Sequence, residues 1–207
     1  MNSRFRILLI DIGNVIIDAS HAITHKVLIK GYPKEMAEKF YTDFYLDFNR
    51  GKLTPEEFAT ALATNYYGGR VYGTFTVKLM QSLHDLHIFG LVKGAPELLE
   101  KLRRYKENIV FLTNTNIWQT EREKQLIDLQ PYCRCILRSH EKLGKLKTDE
   151  GAFEDVLRML NVEAKDVLFV DDSQANINAA KKLGIETILF ENVEQTTQAL
   201  VSYGYEV

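Results

Sequence analysis

Asp11 follows four apolar residues, Ile7-Leu8-Leu9-Ile10, and is followed by Ile12, Gly13 and Asn14. Three later stretches repeat the theme of an apolar run feeding polar chemistry. Ile109-Val110-Phe111-Leu112 runs into Thr113-Asn114-Thr115-Asn116, and Val167-Leu168-Phe169-Val170 runs into Asp171-Asp172-Ser173. Between them, Lys147 lies in a loop after Cys135-Ile136-Leu137. A carboxylate, a hydroxyl, an ammonium and an acidic pair, each at a strand end, are the parts that bind a phosphoryl group beside a divalent cation. Carboxylate oxygens suit a hard cation, and a lysine supplies a point charge to an anion. Taken singly, each residue has a structural explanation; the joint pattern is what points to chemistry.

These side chains need a scaffold that gathers strand ends. An unbroken aliphatic run without alternation suits a strand buried on both faces, as in a parallel sheet. Open α/β sheets bind ligands at the carboxyl ends of such strands, which is where Asp11 falls, and Gly13 permits a close approach of backbone to ligand. Five strands are expected, at Ile7 to Ile10, Ile109 to Leu112, Cys135 to Leu137, Val167 to Val170 and Thr187 to Phe190. Helices alternate with them: Ala95 to Tyr105, Thr120 to Asp128, Thr148 to Leu160, Ala175 to Leu183 with Ser173 as cap, and Glu194 to Tyr203.

From His21 to about His87 the pattern is helical and amphipathic instead. Helices are expected from Pro33 through Phe44, from Thr54-Pro55-Glu56-Glu57 to the break at Gly68-Gly69, and from Thr76 to Leu86. Thr54 and Glu57 have the spacing of a capping box, with Pro55 at the first helical position. The next sheet strand begins only at Ile109, too far for one connection in a compact domain, so this block forms a small helical domain. Its aromatic residues (Phe40, Tyr41, Phe44, Tyr45, Phe48, Tyr66, Tyr67, Tyr72, Phe75) form a bundle core or line a pocket. Arg50 reads as a solvated surface charge or a reach toward an anion.

The order and spacing of these motifs resemble the haloacid dehalogenase-like (HAD) hydrolase superfamily over nearly the whole chain. Asp11 to Asp18 (DIGNVIID) is similar to the Asp-x-Gly-Asn-Val first motif of a sugar-phosphatase-like branch. LTNTN (Leu112 to Asn116), Lys147 and Asp171-Asp172 resemble the second, third and fourth motifs. The resemblance implies a Rossmann-like, doubly wound α/β core (1–18 and 88–207) with an inserted helical cap (19–87). It implies a Mg²⁺-dependent phosphatase with Asp11 as nucleophile. Asp11, the main-chain carbonyl of Gly13 and Asp172 would hold the metal, with Asp171 a direct ligand or one step behind. Thr113, Asn114, Lys147 and the backbone at Ile12 and Gly13 would meet the phosphate. Lys145 is a rival for Lys147; Lys147 precedes Thr148-Asp149-Glu150 as the family's lysine precedes its helix, although Thr148 replaces the family's proline.

One departure matters. Most phosphatases of this superfamily carry a second Asp two residues after the nucleophile, which protonates the leaving alcohol. Here that position is Gly13. A cap residue or substrate group supplies the proton, or the enzyme is slow, or the protein is a phosphate-binding or regulatory relative that lost turnover. A dehalogenase calls for an aromatic residue at position 13 and no strong acidic pair. A phosphoacceptor signalling domain calls for its acidic pair on the first strand.

Composition sets the remaining bounds. The chain has 207 residues, 45% hydrophobic, with a formal net charge of -2. No basic stripe tracks a nucleic-acid backbone, so no such partner is expected. Nor does any apolar run suit a membrane span or a signal peptide. Cys133 and Cys135 flank Arg134; on a strand they would point the same way, and they read as buried thiols of a reduced, cytoplasmic protein. The expected partner is a small phosphorylated metabolite, and the oligomeric state is left open.

Overall fold

Ile7–Ile10 forms β1, and its side chains divide between the two faces of a sheet. Leu8 and Ile10 face one side and Ile7 and Leu9 the other, none more than 4% exposed. Covering both faces is what an unbroken apolar strand requires. The computed structural model describes residues 4–19, 35, 39, 41–66, 74–85 and 88–207. Among these, β1 is followed by β2 (Ile17–Ala19), a π-type turn at Tyr41–Tyr45 that runs into α1 (Leu46–Asn49), α2 (Pro55–Tyr66) and α3 (Thr74–Asp85). Then come β3 (Ile88–Leu91), α4 (Ala95–Leu102), β4 (Ile109–Thr113), α5 (Ile117–Leu126), β5 (Cys135–Arg138) and α6 (Ala152–Leu160). The chain closes with β6 (Val167–Asp171), α7 (Gln174–Lys181), β7 (Glu186–Leu189) and α8 (Val193–Ser202).

Five strands make one parallel sheet in the order β5-β4-β1-β6-β7. The chain builds outward from β1 to β5, then returns to β6 on the other side of β1, so the strand order reverses beside the end of β1. Such a switch point opens a crevice at the carboxyl ends. Leu98, Leu99 and Leu102 of α4 and Leu200 of α8 cover one face. Phe153, Val156 and Leu160 of α6 and Ile177 and Ala180 of α7 cover the other. Each large side chain so buried contributes about 1.5–3 kcal/mol. The five expected sheet strands and the Rossmann-like doubly wound class are therefore present.

Several details differ from the sequence reading. β2 and β3 form a separate antiparallel pair that the sequence did not reveal, because each is too short to show a period by itself. α5 begins at Ile117, not Thr120: Asn116 caps it by accepting from Gln119 N at 3.1 Å, and the two residues form a capping box. α6 begins only at Ala152, because Gly151 turns the chain through a left-handed φ of 73°. Ser173 stands at the cap position of α7 but makes no side-chain cap bond. Cys133 precedes β5 and packs on one face of the sheet, whereas Cys135 packs on the other, so the two thiols do not point the same way.

The Thr54 capping box is formed, with Thr54 N donating to Glu57 Oε2 at 2.8 Å and Glu57 N to Thr54 Oγ1 at 3.2 Å. Phe48 stacks on Phe58 with ring centroids 4.3 Å apart, and both meet Trp118 of α5 edge-on. These aromatic residues are thus a core, and it is shared between α1, α2 and the helix after β4. Pro33, Phe40, Tyr67, Gly68-Gly69 and Tyr72 lie outside the described residues, as do the side chains of Tyr41, Tyr66 and Phe75.

Candidate active site

The carboxyl end of β1 sets the first residue. Asp11 N still donates to Val170 O of β6 at 2.9 Å, which aligns Asp11 with the sheet. The chain then turns sharply, with Ile16 N and Ile17 N both donating to Ile12 O at 2.9 Å. Asn14 adopts a left-handed φ of 55° within that turn. Its carboxamide bridges two elements: Nδ2 donates to Asp172 Oδ2 at 2.9 Å, and Oδ1 accepts from Ala19 N at 3.1 Å.

Lys147 enters from the loop before α6 and is 2% exposed. Its Nζ lies 2.6 Å from Asp11 Oδ1 and 2.7 Å from Asp171 Oδ2. The backbone beneath it is pinned, with Lys147 N donating to Asn114 Oδ1 at 2.9 Å. Lys145, the rival, points away and pairs with Asp155 at 2.6 Å. Asp171 is fully buried and accepts from Ser173 N at 2.8 Å and from Asn176 Nδ2 at 3.0 and 3.1 Å, besides Lys147. Asp172, by contrast, is only half-buried.

These strand ends border a cavity of about 340 Å³. Of the residues singled out in the sequence, Asp11, Ile12, Gly13, Thr113, Asn114, Lys147 and Asp172 line it, while Asp171 lies behind the wall. Sequence reasoning missed Asn14 as the partner of Asp172, Asn176 as the partner of Asp171, and Leu46 and Asn49 of α1 as part of the wall. Asn176 carried a signal: it sits in the first turn of the helix that begins just after the acidic pair, where its side chain can reach back to the strand end. Leu46 and Asn49 carried none, because their placement depends on how α1 docks.

The electrostatics are unbalanced. Asp11, Asp171 and Asp172 each offer an oxygen within 4.8 Å of the others, and Lys147 is the ammonium among them. Burial pushes the Asp11 carboxyl up from 3.8 to about 7, against the pull of Lys147; Asp171 and Asp172 push the same way. For Lys147, burial favours the neutral amine, but Asp11 and Asp171 outweigh it and hold the ammonium charged. Burial thus sets the direction at Asp11 and the neighbouring carboxylates set it at Lys147. Excess negative charge on hard oxygen donors in a dry cleft is what a divalent cation such as Mg²⁺ relieves, so the donor set fits one.

The family model of haloacid dehalogenase-like hydrolases matches residues 8–190. The chain belongs to this family. Among its relatives, flavin mononucleotide hydrolase 1 of Arabidopsis thaliana is 29% identical over 181 residues, which is 84% of this chain and 67% of that protein. D-ribitol-5-phosphate phosphatase of Bacteroides thetaiotaomicron is 25% identical over 206 residues, 93% of this chain and 95% of that protein. The chain spans only 36% and 46% of two other curated relatives. A solved HAD family enzyme of Bacteroides thetaiotaomicron, in complex with magnesium and inorganic phosphate, superposes with a TM-score of 0.76 at 24% identity, covering 91% of this chain and 96% of that one. That likeness shows the shared fold. Among the described residues, no helix is long and apolar enough to cross a membrane.

Proposed function

We propose that this HAD-family hydrolase is a Mg²⁺-dependent phosphatase that hydrolyses a small phosphomonoester, a sugar phosphate among the candidates, through a phosphoryl group carried on Asp11. The observation that carries this reading is Lys147 Nζ held between Asp11 and Asp171, at 2.6 and 2.7 Å, on the wall of a cavity that Asp172 also lines. The relatives that act on flavin mononucleotide and on ribitol 5-phosphate support it.

An Asp11 carboxylate oxygen attacks phosphorus as the ester P–O bond breaks, and the leaving alkoxide takes up a proton from solvent, since Gly13 has no acid to offer. Water then adds to phosphorus, the bond to Asp11 breaks, and inorganic phosphate departs with Asp11 restored as a carboxylate. Lys147 keeps a positive charge beside the phosphoryl oxygens and beside Asp11, while the Thr113 hydroxyl and the N–H groups of Gly13 and Asn114 hold the same oxygens and the Ile12 N–H steadies Asp11. Asp11, the Gly13 carbonyl and Asp172 would hold Mg²⁺, which supplies the charge neutralisation that lets a carboxylate approach a dianion. The fourfold-bonded Asp171 acts one step behind, orienting Lys147.

In this reading residues 19–87 serve as a cap over a core of 1–18 and 88–207, and Leu46 and Asn49 on the cavity wall support that role. The unpaired thiols of Cys133 and Cys135 suit a reducing, cytoplasmic setting. A second reading, a phosphate-binding relative without turnover, is favoured by Gly13 alone, which has no side chain to act as acid. A panel of phosphomonoesters assayed with Mg²⁺ and with chelator separates the two. Mg²⁺-dependent release of phosphate supports the phosphatase; silence across the panel together with saturable phosphate binding supports the second reading.

A further inference from the structure

Arg50 is neither a free surface charge nor a wall of the cavity. Its Nε donates to Asp149 Oδ2 and its Nη2 to Asp149 Oδ1, both at 2.7 Å, the two-pronged contact that a guanidinium makes and an ammonium cannot. Asp149 Oδ2 also accepts from Leu146 N at 2.9 Å, and Asp149 N donates to Leu146 O at 2.9 Å. This closes a small turn, and Lys147 is inside it. We infer that Arg50 is a positioning residue for phosphoryl transfer: through Asp149 it fixes the turn that carries Lys147, so that the site's ammonium is placed only while α1 is docked. The inference rests on the role given to Lys147 above.

Arg50 is itself set by α1. Its N donates to Leu46 O at 3.0 Å and its Nη1 meets Asp47 Oδ1 at 3.1 Å. The residues on either side are seated on the strand-end loops. Asn49 Oδ1 accepts from Asn116 Nδ2 at 2.8 Å and Asn49 O accepts from Ser139 Oγ at 2.6 Å. Gly51, at a left-handed φ of 72°, lies so close to the His140 carbonyl that a Cβ there would collide with it. The turn at Lys147 is therefore held from two directions. Asn114 holds the Lys147 amide from the core, and Arg50 holds Asp149 from the helical segment. Withdrawing α1 removes the second hold and leaves Asp149 without two of its donors.

The test compares Arg50→Ala, Arg50→Lys, Asp149→Asn and the Arg50→Ala/Asp149→Asn double variant with the wild-type chain, using Lys147→Ala alongside. We expect kcat to fall by about 10- to 100-fold in Arg50→Ala, the scale of a ~1 Å misplacement in a site, with KM changed less than about threefold. Arg50→Lys, which keeps the charge but not the fork, recovers only part of the loss, and the double variant is no slower than the slower single one, as for two residues in one linkage. A purely structural role would lower the unfolding midpoint without this kcat-against-KM split. If Arg50→Ala does not fold, Arg50→Lys and Asp149→Asn carry the same comparison. Folded variants with kcat within about twofold of wild type, or effects that multiply in the double variant, overturn the inference. Lys147→Ala separates the levels: full turnover in that variant overturns the underlying site reading, whereas its loss with Arg50→Ala unaffected overturns only the role of Arg50.

Discussion

Lys147 holds its ammonium 2.6 Å from the Asp11 carboxylate, with the two side chains 1% and 9% exposed. A pair so far out of water adds little net stability, because desolvation cancels much of the attraction, but breaking it is expensive. Lys147→Met leaves Asp11 and Asp171 facing each other with no cation between them. Denaturant unfolding of the metal-free variant is expected to show a loss of about 3–5 kcal/mol, partly recovered on adding Mg²⁺. An unchanged midpoint would mean the two carboxylates do not depend on Lys147.

The same burial fixes a pH dependence. Asp11 has its folded value raised from 3.8 to about 7, so the folded state holds that proton where the unfolded chain has released it. Its contribution therefore favours folding at low pH, fades as pH rises from 3.8 to about 7, and is flat above. In Asp11→Asn this component vanishes. Metal-free stability of wild type minus that of Asp11→Asn should fall across that window; a difference that is flat or rises with pH contradicts the assignment.

Gly13 offers a direct gain-of-function test. A Cβ added there meets no other atom within 4 Å, and Gly13 is not among the positive-φ residues. Gly13→Asp is thus expected to fold normally and to place an acid two residues after the nucleophile. Positioned acids contribute about 10²–10⁴-fold, so kcat should rise at least about tenfold if no other group already serves. A folded Gly13→Asp with unchanged kcat would show that another group already donates the proton.

Asn14 links the first turn to Asp172 and to β2. Its left-handed backbone is one that glycine adopts freely, so Asn14→Gly removes the carboxamide and spares the turn. The Mg²⁺ concentration that gives half of the maximal thermal shift should rise about tenfold or more, as when the partner of a metal ligand is lost. An unchanged midpoint would remove Asp172 from the metal or Asn14 from its support.

The parallel sheet was legible because each strand is an apolar run with both faces covered, and the grouping of Asp11, Thr113, Asn114 and Asp172 around one cavity because they stand at the ends of those runs. What escaped the sequence was decided by distant partners. β2 and β3 are strands only by pairing with each other. Asp149 looks like a first-turn acid of α6, yet it is taken by Arg50, 99 positions away, and the helix starts after Gly151. Asn116 and Gln119 did carry a local capping signal, and α5 begins where they set it. Nothing local marked Phe48 and Phe58 as neighbours of Trp118; only the docking of α1 and α2 brings them together.

Turnover by Asp11→Asn tests the central claim most directly. The substitution keeps the shape of the side chain and the Ile12 N–H contact, 2.8 Å in the wild-type chain, but removes the attacking carboxylate. With Mg²⁺ present and the best substrate of the panel, kcat should drop by at least about 10³-fold while the variant stays folded. Turnover within about tenfold of wild type would contradict nucleophilic attack by Asp11 and the mechanism built on it.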